Sequence, residues 1–123
     1  MKYNAQLQTE IEKFKDYVII VEGKKDVQSL KSLGFKKVYA IHSTGVPLRE
    51  RVEQIMSYIE KKERVCILTD LDKRGKQLYE ILKPIFQELS ARLDSTFRGI
   101  LIKSRISHIE GINTFIQKVE NIA

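Results

Sequence analysis

The chain has a single cysteine, which excludes an internal disulfide framework and any zinc site built from several thiolates. That residue, Cys66, stands in the apolar run Val65-Cys66-Ile67-Leu68, the setting of a buried and inert thiol. Long apolar runs are also missing. Val18-Ile19-Ile20-Val21 falls far short of the about 20 residues that a membrane helix needs. The opening stretch MKYNAQLQTEIEKFKD carries charges where a signal peptide has its apolar segment, which predicts a cytoplasmic protein. No repeat, low-complexity tract or Gly/Ser linker divides the sequence. Its 123 residues therefore predict one domain, too short a length for two ordinary ones.

What is present fits a globular chain. Hydrophobic residues make up 42% and charged residues 31%, close to the average for folded proteins. Lys and Arg number 22 against 16 Asp and Glu, a formal net charge of +6. That sign favours polyanionic partners such as nucleic acid or nucleotides, although it bears on association and not on fold.

Hydrophobic periodicity then places the elements. Leu7, Ile11 and Phe14 make one face of a short helix over residues 4–15. The β-branched run Tyr17–Val21 reads as a strand buried on both faces and is closed by Glu22-Gly23. Val27, Leu30 and Leu33 line a helix over Lys24–Leu33, with Gly34 at its C-terminal end. A second strand is expected at Lys37–Ile41, then a helix from Pro47 through Lys62 with Leu48, Val52, Ile55, Met56 and Ile59 inward. The third strand, Arg64–Thr69, runs into Asp70-Leu71-Asp72-Lys73-Arg74-Gly75. Leu78, Ile81, Leu82, Ile85, Phe86 and Leu89 mark the next helix, where Pro84 predicts a kink or a break. A fourth strand is expected at Phe97–Ile102, followed by a last helix over 112–119. Strands alternating with amphipathic helices define an α/β class: a central, mostly parallel four-stranded sheet with helices on both faces.

In such sheets ligands bind beyond the C-terminal ends of the strands. Glu22 ends the first strand, and Asp70 and Asp72 follow the third. Carboxylates gathered at one rim repel unless a proton or cation intervenes, and Mg²⁺ with oxygen ligands relieves that repulsion. The same residues admit a plainer reading, in which Asp72 caps the following helix and Asp70 sits in a turn. Lys24, Lys25, Lys73, Arg74, Lys76, Lys103 and Arg105 follow the ends of the first, third and fourth strands. An acidic centre with a basic surround suits metal-assisted chemistry on a phosphodiester, where the cations hold the polyanion; the alternative is that several of them only face solvent. His42, after the second strand, belongs to the same rim, either in contact with substrate or as a structural imidazole.

Val21-Glu22-Gly23 with Asp26, and Thr69-Asp70-Leu71-Asp72-x-x-Gly75, resemble the two motifs of the Toprim domain. That family spans topoisomerases, bacterial primases, recombination-repair proteins and small nucleases, including the maturase of 5S ribosomal RNA. The resemblance covers about Tyr17 to Lys103, with residues 4–15 and 112–119 as additions to this Rossmann-like core. It is nearest to the small stand-alone archaeal members, which also share a segment similar to His108-Ile109-Glu110-Gly111.

The resemblance implies that Glu22 is a catalytic acid or base and metal ligand, and that Asp70 and Asp72 hold Mg²⁺, for which Mn²⁺ substitutes. It also implies that Gly23 and Gly75 let the backbone turn tightly beside the site. One departure stands out. Topoisomerase-like members continue with Arg-Glu-Gly-Glu after the second Asp, whereas this chain has Lys73-Arg74-Gly75-Lys76, which tilts the rim toward phosphate binding.

The length leaves no room for the strand-passage parts of a topoisomerase or the accessory parts of a primase. The expectation is therefore a Mg²⁺-dependent nuclease or phosphotransferase acting on RNA or DNA, with a protein partner presenting substrate as one open arrangement. The alternative is a non-catalytic nucleic-acid-binding or adaptor module of the same fold. A phospho-acceptor receiver domain would need an acidic pair after the first strand and a fifth strand ending in Lys, neither of which is present.

Overall fold

The computed structural model describes residues 5–42, 44–104 and 109, with side chains from Thr9 onward. Arg105, the His108–Gly111 segment apart from Ile109, and the expected helix over 112–119 lie outside the described residues. The elements run α1 (Ala5–Phe14), β1 (Val18–Val21), α2 (Lys24–Ser32), β2 (Lys37–Ala40), α3 (Leu48–Tyr58), β3 (Arg64–Ile67), α4 (Lys73–Glu88), β4 (Arg92–Leu93) and α5 (Thr96–Lys103). The sheet order is β2-β1-β3-β4, and every pair is parallel.

Pleating splits the core in two. Ile19, Val21, Val38, Ala40 and Cys66 face α1, α2 and α5, where Phe14, Leu30, Phe97 and Leu101 are buried against them. Val18, Ile20, Val65 and Ile67 face α3 and α4, covered by Val52, Ile55, Leu82 and Phe86. A stack of aromatic rings closes the first layer: the Phe97 ring lies 4.7 Å from Phe14 and 5.6 Å from Phe35, both nearly parallel. β1 and β3 are therefore covered on both faces, as their unbroken apolar runs predict.

The fourth strand is not where the apolar pattern placed it. Residues Phe97–Ile102 are helical, and the strand is the two-residue β4, whose Leu93 pairs with Val65. Two local features decide this. Asp94 Oδ1 accepts from the Thr96 amide at 2.9 Å, turning the chain into a helix. Phe97, Arg98 and Leu101 are then buried on one helical face, while Ile102 is left 53% exposed. Lys103 consequently ends a helix and does not follow a strand.

The remaining differences are smaller. α3 stops at Tyr58, because the extended Ile59 and a turn over 60–63, in which the Glu63 amide donates to Glu60 O, return the chain to β3. α4 continues through Pro84 without a break. Pro84 and Glu80 are both exposed, so water can meet the Glu80 carbonyl that has lost its donor. Ile81, counted in the inward stripe, is 53% exposed on the outer side of α4.

Candidate functional site

The site is a product of strand order. From β1 the chain turns through α2 to β2 on one side, and from β3 it turns through α4 on the opposite face of the sheet. The loops after the neighbouring strands β1 and β3 diverge, leaving a crevice at the switch point. This cleft has a volume of about 550 Å³ and is lined by Glu22, Gly23, Lys24, Lys25, Asp26, His42, Asp70, Asp72 and Arg74.

Glu22 leaves the end of β1 half-buried, and its Oε2 accepts from the Asp70 amide at 3.3 Å. The Glu22 carbonyl accepts from the His42 amide at 2.9 Å, which ties the end of β2 to the same rim. Burial pushes the Glu22 carboxyl up to about 7, and the adjoining Asp70 carboxyl and the Asp26 charge add to the shift. The Ile109 amide donates to Asp70 Oδ1 at 2.8 Å. Asp72 is the N-cap of α4, its Oδ1 accepting from the Gly75 amide at 2.8 Å. Asp26 Oδ2 accepts from the Gly23 amide at 3.2 Å at the start of α2. The plainer reading of Asp72 as a cap thus holds, and the residue also lines the cleft.

The basic residues divide. Lys24, Lys25 and Arg74 are exposed on the cleft wall. Lys73 and Lys76 lie on the first turn of α4 without lining the cleft, and Lys103 stands at the far end of α5. The two motif glycines also differ in kind. Gly23 has an extended backbone (φ −138°) with open space where a Cβ would stand. A Cβ on Gly75 would come within 1.8 Å of the Asp70 carbonyl oxygen, so what Gly75 permits is the close approach of α4 to the end of β3.

The sequence pattern passed over Thr69 and Arg98. Thr69 Oγ1 donates to Gly75 O at 2.7 Å, and Arg98 Nη1 donates to Thr69 O at 2.7 Å. The signal for Arg98 was a charge inside the apolar run Phe97–Ile102, which a strand buried on both faces would leave unpaired. Among the described residues no group of three or more His, Cys, Asp and Glu side chains is gathered closely enough to hold a metal ion by itself. Glu22 and Asp70 adjoin across the ends of β1 and β3.

Fold and site together define a parallel α/β domain with paired acids at its switch point and cations on the cleft wall. The Toprim domain family matches residues 17–103, and the chain belongs to that family. Within it, the chain is 31% identical over 107 residues to a UPF0292 protein of Methanosarcina barkeri, covering 83% of this chain and 71% of that one. DNA primase DnaG of Methanocella arvoryzae is 35% identical over 72 residues, 58% of this chain and 13% of the primase. Ribonuclease M5 of Mesoplasma florum is 31% identical over 65 residues, 53% of this chain and 37% of the nuclease. Among solved structures, a protein of Aquifex aeolicus superposes with a TM-score of 0.71 at 28% identity, covering 89% of this chain and 98% of that one. Among the described residues no helix is long and apolar enough to cross a membrane.

Proposed function

We propose that this chain is a small Mg²⁺-dependent enzyme of phosphodiester chemistry, a nuclease acting on structured RNA or DNA. The observation that carries this reading is the pairing of Glu22 with Asp70 across the β1/β3 switch point. Two carboxyls from separate strands, one of them partly buried, form a donor set that is relieved by a hard cation. Mg²⁺ takes one or two carboxylates and keeps its other positions for water and substrate phosphate, a requirement that Glu22 and Asp70 meet, with Asp72 at hand on the same cleft. Mn²⁺ has the same oxygen preference.

When bound, the cation neutralises charge on the scissile phosphate and activates water. Asp70 would hold it from beyond the end of β3. Glu22 would hold the cation with Asp70 or move a proton, its carboxyl lying near 7 before the metal binds. Lys24, Lys25 and Arg74 hold the phosphate backbone along the cleft wall. Asp26 keeps the turn carrying Lys24 and Lys25 in place. The relatives named as a primase and a ribonuclease support nucleic acid as the substrate class.

The test is cleavage of end-labelled structured RNA and duplex DNA, with Mg²⁺ or with chelator. Cleavage is expected to require the metal and to disappear in Asp70→Asn, while binding persists. Tight binding with no cleavage of either substrate overturns the enzyme reading. It would favour an adaptor module, the alternative to which Asp72's engagement as a helix cap and the basic Lys73-Arg74-Gly75-Lys76 turn give some weight.

The cleft also sorts the cations. For nucleic-acid binding followed against salt, Arg74→Ala is expected to flatten the slope of log K against log[salt] by about 1, the loss of one phosphate contact. Lys73→Ala, beside it but off the cleft wall, is expected to leave the slope unchanged. Equal effects of the two would mean that the backbone runs over the outside of α4.

A further inference from the structure

A buried cation lies directly behind the acidic pair. Arg98 on α5 is 5% exposed, and among the described residues every acceptor of its guanidinium is neutral. Nη1 donates to Thr69 O at 2.7 Å and Thr69 Oγ1 at 3.1 Å, and reaches Ile67 O at 3.5 Å; Nη2 donates to Asp70 O at 3.3 Å. The guanidinium plane rests on Tyr79, 4.3 Å from the ring centroid.

The reason for this arrangement lies in the sheet. β4 has only two residues, and the last carbonyl of β3 that it serves is Val65 O, which accepts from the Asp94 amide at 2.9 Å. Carbonyls two and four residues further on, at Ile67 and Thr69, point to the same side, where no strand of the described residues continues. Arg98 supplies the donors for these carbonyls. The Thr69 hydroxyl that accepts from Arg98 also donates to Gly75 O, so one guanidinium governs the whole turn from Thr69 to Gly75.

We propose that Arg98 is the positioning residue of this site: it fixes the backbone beyond β3 and thereby aims the Asp70 carboxylate at Glu22 and at the metal. The assignment rests on reading Glu22 and Asp70 as the metal pair, and it is tested by measurements that separate the two ideas. Lys keeps the charge but not the fork that spans several carbonyls, so Arg98→Lys is the informative variant. Its amide hydrogen exchange is measured without metal at Asp70, whose amide donates to Glu22, and at Ile109, whose amide donates to Asp70. Both amides are expected to exchange at least about tenfold faster, with those of α2 unchanged. Mg²⁺ affinity by calorimetry is expected to fall about tenfold or more, and kcat to fall with KM held.

A purely structural role would lower the melting temperature alone. A folded Arg98→Lys with wild-type exchange and wild-type metal affinity overturns the proposal. Should wild type bind no metal and cut nothing, the metal reading fails, and exchange at Asp70 and Ile109 still decides whether Arg98 holds the turn. If Arg98→Lys does not fold, Thr69→Val replaces it, since it removes only the hydroxyl linking Arg98 to α4. Wild-type exchange and metal affinity in that variant likewise overturn the proposal.

Discussion

Glu22→Gln is expected to remove nucleic-acid cleavage, by at least about a hundredfold, and to make the metal-free protein more stable at pH 8. The two effects share one cause. Glu22 is held half-buried beside Asp70, and its carboxyl titrates at about 7 in the fold against 4.5 ordinarily. Between those values the folded chain carries a proton that the unfolded chain has released, so stability falls as pH rises through this window. Above pH 7 the destabilisation is complete, and a neutral Gln at the position is free of it. The melting temperature of Glu22→Gln should exceed that of wild type at pH 8 by a few degrees and match it near pH 5. In wild type, saturating Mg²⁺ should close the gap at pH 8, because a ligand that binds only the folded state stabilises it. Apparent Mg²⁺ affinity should rise by up to about tenfold per pH unit until pH reaches about 7, as the metal ceases to compete with a proton. A variant that melts below wild type at pH 8 would show that the carboxylate is stabilised by its neighbours, and retained cleavage would remove Glu22 from the chemistry.

The second large effect separates two glycines that look equivalent in sequence. Gly75→Ala places a methyl carbon 1.8 Å from the Asp70 oxygen and 2.4 Å from its carbonyl carbon, both backbone atoms. Neither side can give cheaply. The Gly75 amide caps onto Asp72, its carbonyl is held by Thr69, and the Asp70 carbonyl is held by Arg98. The first turn of α4 must therefore shift away from the end of β3. The expected cost is about 3 kcal/mol or more, a fall in melting temperature of roughly 10 °C or more. Gly23→Ala meets open space at an ordinary extended φ and loses only the preference for glycine over alanine at the N-cap of α2, so its expected cost is about 1 kcal/mol or less. Thermal unfolding of the two variants side by side decides the matter. Equal melting temperatures would mean that the turn after β3 yields more easily than its hydrogen bonds imply.

The contrast between these glycines marks where sequence reasoning stops. Local rules placed β1 and β3, because an unbroken β-branched or apolar run bounded by turn residues has few other uses. They placed α2 and α3 within a few residues through their 3.6-residue stripes. They also brought Glu22, Asp70, Asp72, Lys24, Lys25, Arg74 and His42 to one rim, since alternating strands and helices put all the strand ends on one side. They misplaced the fourth strand: Phe97–Ile102 is apolar enough for one, but the Asp94 turn and the packing of Phe97 between Phe14 and Phe35 make it a helix.

Everything that depends on two distant segments meeting was left to the tertiary structure. It brought Glu22 within reach of Asp70, 48 residues away, and so raised its carboxyl. It put Arg98 against carbonyls some 30 residues earlier, and Gly75 against a backbone oxygen that no residue larger than glycine can approach. Periodicity reports which face of an element is buried. The atoms that meet on that face are set by the order in which the strands lie side by side.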